Sequence, residues 1–219
     1  MSRKSQLVSG MGLAAQMVAE IVRLAQDIGV PEGRLHILGT PEGVPYLRIL
    51  VTALAENPVV IQTEYLRQLF VGEAISVGAT DGTRTIAKAG DAFVSGIDPD
   101  FVSWGLDVPS RPTKVTEAIV CEMTNDGTFA EIFGSLKCSL ESLCWKQSQI
   151  VDFVKKYQDR LRGDGYATFF LFKVGDKFFV ACVDVYSRGY LRVSVYRFSD
   201  DFVWCAVFRR RFAVPQPFA

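Results

Sequence analysis

Histidine is almost missing from this chain: His36 is the single one in 219 residues. That shortage removes most zinc chemistry, because tetrahedral sites cluster histidine with closely spaced cysteine, and Cys138 and Cys144 have neither the spacing nor the partners. No metal ligand set is expected. Cysteine is sparse as well. Cys121, Cys138, Cys144, Cys182 and Cys205 are odd in number and hold no close pair, so a reducing compartment fits better than a disulfide framework. A G-x-S-x-G elbow is absent, and a cysteine nucleophile would have to recruit His36, which sits between Leu35 and Ile37 where a packed or capping role suits it better. Only Cys144 has a setting that favours reactivity. It stands beside Trp145 and Lys146 just before an expected helix, whose N-terminus would lower a thiol pKa; a partly buried structural thiol is the plainer reading.

Neither G-x-G-x-x-G nor the Walker pattern occurs, and in Gly39-Thr40-Pro41-Glu42-Gly43 the proline removes an amide donor while the glutamate puts an anion where phosphate would sit. No cofactor is expected. Long apolar runs are missing too. Leu7 to Val22 follows Arg3 and Lys4 but is interrupted by Gln16 and Glu20, which argues against a signal peptide, and Tyr46 to Ile61 is too short and too polar to cross a membrane. The expectation is a cytoplasmic protein with no membrane partner.

Net charge is also absent, since 24 basic residues meet 24 acidic ones. The zero hides a division. Residues 1–145 carry 11 Lys and Arg against 17 Asp and Glu, whereas 146–219 carry 13 against 7, giving −6 and +6. Such a split signals either a basic binding surface or two parts that attract each other.

What is present is hydrophobic period. Leu13, Met17, Val18, Ile21, Leu24, Ala25 and Ile28 share a helical face closed by Gly29 and Pro31, and Thr40-Pro41-Glu42 starts a second helix carrying Tyr46, Leu47, Leu50, Val51 and Leu54 inward. A third helix is expected from Thr63 to Phe70. Residues 1–71 therefore read as a helical subdomain. Residues 72–145 read as a mixed, irregular middle, with short strands at Ile75 to Ala79, Arg84 to Ala87 and Val115 to Met123, and a hairpin turn at Thr80-Asp81-Gly82-Thr83. In residues 146–219, Ile150, Phe153, Val154, Tyr157 and Leu161 define one more amphipathic helix. Four strands follow, Ala167 to Lys173, Lys177 to Val185, Tyr190 to Phe198 and Phe202 to Phe212, whose short connections imply an antiparallel meander. The fold class expected is α+β: a helical N-terminal part, a mixed middle, and a C-terminal helix with a four-stranded meander.

The run through Phe169-Phe170-Leu171-Phe172, Phe178-Phe179-Val180-Ala181, Tyr196-Arg197-Phe198, Val203-Trp204, Arg210-Arg211 and Val214-Pro215-Gln216 resembles uncharacterised hypothetical proteins of bacterial candidate phyla. The resemblance covers the last third of the chain, with fainter echoes at Thr40 to Gly43. It implies no activity and transfers no functional residue.

Three functions remain open. The leading one is a non-enzymatic interaction or scaffold protein with a protein partner, because catalytic constellations are missing and strands one and two are apolar on both faces, to be covered by the helix on one and by the acidic N-terminal part on the other. The second is a nucleic-acid binder, with Arg192, Arg197, Arg209, Arg210 and Arg211 contacting phosphates and Tyr196 and Trp204 offering rings for stacking. The third is a carbohydrate-active or metal-assisted hydrolase at Asp91, Asp98, Asp100 and Asp107, where acids stand among Phe93, Phe101 and Trp104; there the plainer reading is a turn or short-helix cap at Asp98-Pro99-Asp100.

Overall fold

A computed structural model describes residues 18–19, 21–23, 25, 29–49 and 60–216. The chain divides into two compact units, Met1–Val59 and Val60–Ala219. In the first, the helix expected from Leu13 to Ile28 lies largely outside the described residues, although residues 18–19, 21–23 and 25 are helical. Gly29 lies at φ +77°, and the Val30 amide donates back to the Ala25 carbonyl at 2.8 Å, as at a glycine C-cap. Thr40 precedes a 3-10 turn at Pro41–Gly43 and helical residues 44–49, but its hydroxyl donates to the Ile37 carbonyl and caps neither of them. Tyr46 and Leu47, expected inward, are exposed, and Leu50, Val51 and Leu54 fall outside the described residues.

The second unit is built on one mixed sheet of eight strands: β1 (Leu66–Leu69), β2 (Ile75–Val77), β3 (Gly96–Ile97), β4 (Thr116–Met123), β5 (Ala167–Val174), β6 (Lys177–Val185), β7 (Leu191–Arg197) and β8 (Arg211–Pro215). Their spatial order is β1-β4-β8-β5-β6-β7-β3, with β2 also paired to β4. This sheet overturns the expected fold class. The expected meander stops after three strands, since β8 does not pair with β7. It runs parallel to β5, with Phe169 opposite Phe212, and antiparallel to β4, with Val120 opposite Ala213. Chain from the expected middle and last segments thus shares one ladder, and the described chain ends in a strand with no helix after it. The helix at Gln147–Lys156 precedes β5.

Other local readings change too. Residues expected to be a third helix form β1, and Arg84 to Ala87 gives way to a 3-10 turn at Ile86–Lys88. The Thr80 to Thr83 segment does turn, with the Asp81 carboxylate accepting from the Thr83 amide at 2.9 Å, but it joins no hairpin. It packs on the Pro109 to Pro112 loop instead, where Gly82 at φ +78° lies so close to the Ser110 and Arg111 carbonyls that a Cβ would collide with them.

Both faces of the sheet are covered, as strands apolar on both sides require. On the first face, Phe170, Phe172, Val183, Val193 and Ala213 pack under Ile150, Phe153 and Val154 of the Gln147–Lys156 helix and under Ile86, Phe93 and Phe101. Gln147 ties these covers together: its buried amide accepts from Ile86 N–H at 3.0 Å and donates to the Leu106 carbonyl at 2.7 Å. On the second face, Phe169, Val180, Cys182, Phe212 and Val214 pack under Phe129, Ile132 and Phe133 of the Phe129–Gly134 helix, joined by Leu143 and Trp204. A reciprocal pair of bonds between Thr128 and Glu131 starts that helix.

The borders of the sheet are closed by borrowed groups. Outside β1, Thr63 N–H donates to Leu66 O and Gln68 N–H to Ile61 O, each at 2.8 Å. Outside β2, the Tyr157 hydroxyl accepts from Ser76 N–H and donates to Ser76 O, both at 2.9 Å. Beyond the two residues of β3, the Asp98 carboxylate takes the Val195 N–H at 3.4 Å, and Asp200 takes the Arg197 N–H at 3.1 Å. An edge treated in this way offers little for a further strand to pair with.

Candidate binding groove

Alternation along β7 sends the arginines singled out from sequence to opposite sides. Arg192, Ser194 and Tyr196 face the second side; Arg197 follows Val193 and Val195 to the first. On the second side, Arg192 stands opposite Asp184, and Ser194 opposite Cys182. The loop between β7 and β8 crosses this face and plants Trp204 in it, held by reciprocal main-chain bonds to Gly127. Tyr196 meets Trp204 edge to face at 5.1 Å, and the Arg210 guanidinium lies over the Trp204 ring at 4.9 Å while donating to the Cys205 carbonyl at 3.0 Å. Arg192, Tyr196, Trp204 and Arg210 are therefore brought together, around Asp184.

Arg192 is exposed at the rim of that cluster, Asp184, Tyr196 and Arg210 are half-buried, and Trp204 is buried. Burial raises the Asp184 carboxyl above the usual carboxylate value, with Arg192 and Arg210 opposing the shift, and burial pushes the Cys182 thiol well above its ordinary value. Trp204 Nε1 is buried and has no acceptor among the described residues. The remaining arginines lie apart from it. Arg211 donates to the carbonyls of Arg160 and Leu161 at 2.9 and 2.8 Å and rests on Phe70. Arg209 is exposed at φ +47°, at the end of the 3-10 turn Ala206–Phe208.

The four acids proposed for hydrolysis have separate partners. Asp91 pairs with Arg84 and with Lys155, which together hold its carboxyl far below the usual range; Asp107 accepts from Thr85 and pairs with Lys88. Asp98 caps β7 and also accepts from the Asp100 amide at 3.0 Å, and Asp100 accepts from Ser103 at 2.7 Å. They serve as turn and edge fasteners, with Phe101 buried beneath the Asp100–Ser103 helix. Among the described residues, no group of three or more His, Cys, Asp or Glu comes together to hold a metal ion. Cys144 is the opposite of an activated thiol: burial drives it up to about 12, outweighing the lowering by Lys146, and it donates to Leu140 O at 3.1 Å.

Open space lies at the other end of the sheet, around the turn between β5 and β6. On one side is a groove of about 760 Å³ bordered by Trp104, Lys177, Phe178, Arg197, Phe198 and Ser199. On the other is a smaller one of about 450 Å³, between the Pro109 to Pro112 loop and Lys146, Lys173 and Gly175. The larger groove is built by specific contacts. Asp98 binds the Asp100–Ser103 helix to β7, which lays Trp104 against Phe179 at 6.3 Å. Arg197, paired in register with Phe179, then spreads its guanidinium over Trp104 at 4.5 Å. Such a contact orients the cation without engaging its N–H edge. Asp200 holds only the main chain of Arg197. Among the described residues, no hydrogen bond or ion pair takes up the side chain of Arg197 or of Lys177.

Arg197, grouped from the sequence with Arg192, Tyr196 and Trp204, stands on the opposite face from them, and Lys177 was not among the expected site residues. Lysine after a Gly-Asp turn reads as ordinary solvated hairpin chemistry, and its approach to Arg197 depends on strand register. Comparison with protein-family models, with curated proteins and with solved structures found no match.

Proposed function

We propose that the Val60–Ala219 unit is a non-enzymatic interaction module that receives its partner at the groove beside Trp104. The observation that carries this reading is the Arg197 side chain, fixed on a ring at the mouth of an open groove with its donors uncommitted, and with Lys177 beside it. The groups that usually perform chemistry point the same way. The acids between Asp91 and Asp107 are each held in structural bonds, and burial lifts the Cys121 and Cys144 thiols to about 12, far from a reactive thiolate. No helix among the described residues is long and apolar enough to cross a membrane. Given the resemblance to proteins of bacterial candidate phyla, we place the module in a bacterial cytoplasm, where its five free cysteines stay reduced.

A broad screen of hydrolase and transferase substrates with the full chain is expected to give no turnover. Turnover that disappears on the single change Arg197→Glu would sink the proposal. The nucleic-acid reading draws less support, because Tyr196 packs on Trp204, Arg210 donates to a main-chain carbonyl and Arg211 to two. Binding to single-stranded or duplex probes at low salt, weakening steeply as salt rises, would restore it.

A further inference from the structure

We infer that the groove beside Trp104 takes a small phosphate monoester with a flat apolar body, of the aryl or nucleoside kind. The inference rests on the binding-module reading and names its ligand class. Arg197 supplies a planar fork of donors suited to two oxygens of one anion, and its stacking on Trp104 fixes the plane of that fork in advance. A carboxylate would be satisfied by the fork alone. Lys177 and the exposed Ser199 border the same space, adding a second positive charge and a hydroxyl, which match the third oxygen and the second negative charge of a phosphate monoester.

The rest of the groove suits the rest of such a ligand. A volume of about 760 Å³ is far more than a bare phosphate fills and falls in the range, roughly 300 to 1,000 Å³, of small-molecule sites. Its apolar border on the side of Arg197 is the half-buried Trp104 ring with the buried Phe179 ring beside it. An extended peptide is a poorer occupant. It would gain affinity by adding to the β7 edge, but Asp98 and Asp200 already hold the Val195 and Arg197 amides there.

Calorimetric titration of the full chain with phenyl phosphate, inorganic phosphate and benzoate tests this, with released phosphate assayed in the same mixtures. Phenyl phosphate should bind, with benzoate and inorganic phosphate each about tenfold weaker or worse, and both Arg197→Lys and Lys177→Gln should weaken phenyl phosphate about tenfold. Equal binding of benzoate overturns the phosphate assignment, and equal binding of inorganic phosphate overturns the aromatic body. No binding of phenyl phosphate up to about 10 mM, or binding indifferent to both substitutions, overturns the site. Steady release of phosphate from phenyl phosphate would support the ligand class while overturning the non-enzymatic reading, so the two failures are told apart.

Discussion

The two faces of the sheet use the same materials to different ends. On the first, a long helix and the 86–106 segment cover Phe170 and Phe172 with apolar side chains, and the polar side chains buried with them are bonded: Gln147 at both ends of its amide, Thr85 to Asp107, Ser148 to Thr80, Gln149 to Thr116 and Thr168 to the Arg162 amide. On the second, a shorter helix and a crossing loop cover Phe169 and Phe212, but the apolar surface gives way at its margin to Cys182, Asp184, Tyr196 and Arg210, beside a buried indole N–H without an acceptor. Each face leaves one buried donor without a partner among the described residues, Arg211 Nε on the first and Trp204 Nε1 on the second, but only the second sets beside it a carboxyl that burial raises, that of Asp184. Buried polar groups without partners lower stability, and on the second face the cost of burying the Asp184 carboxyl is added to that loss.

The contrast between the faces can be broken first at its apolar centre. Phe169 and Phe170 are neighbours in β5, point to opposite faces and are both fully buried. Phe169→Ala and Phe170→Ala should each cost about 3 to 5 kcal/mol in chemical denaturation. A much smaller loss for Phe169→Ala would mean that the second face is not a packed core. The two buried indoles sharpen the contrast at a smaller scale. Trp145 Nε1 donates to the Ala213 carbonyl at 2.8 Å, while Trp204 Nε1 lacks a partner, so Trp145→Phe should cost about 1 to 2 kcal/mol more than Trp204→Phe. Equal losses in thermal or urea unfolding would refute the distinction.

The smallest effect concerns Asp184. Its folded pKa lies above its unfolded value, so the charged form is disfavoured in the native state, and the resulting penalty is absent below the ordinary aspartate value of 3.8 and grows as pH rises through the folded pKa. Asp184→Asn should therefore be more stable than the parent at neutral pH, with the gain fading as pH falls toward 3.8. A gain that persists unchanged in acid would show that the charge is not its cause.

Local period was readable along much of the chain; strand partnership was not. The β-branched run before Met123 marks β4, and Ile150, Phe153 and Val154 mark the face by which a helix meets the sheet, because burial on one side imprints a spacing on adjacent residues. Nothing in Phe202 to Phe212 reports that this stretch breaks into a crossing loop and a 3-10 turn before β8 inserts between β4 and β5. Ser199-Asp200-Asp201 resembles a hairpin turn, whereas Asp200 in fact seals the edge of β7. The helix expected at Thr63 to Phe70 fails for a related reason: Tyr65, Leu66 and Leu69 fit a helical spacing, but β4 offers Leu66 a partner at Met123 that a short isolated helix could not equal. The groove was illegible for the same cause, since Lys177 and Arg197 meet only through the register of β6 with β7, and Trp104 joins them only through the contacts of Asp98 with β7.

The closed borders of the sheet reach beyond stability. A wide β-rich chain in a crowded cell risks being copied strand by strand into fibres, each molecule serving as the template for the next. Asp98, Asp200 and Tyr157 occupy the amides where such copying would begin. Replacing the two aspartates, and removing only the hydroxyl of Tyr157, would leave the packed core in place and would still change how much of this protein a cell could hold in solution.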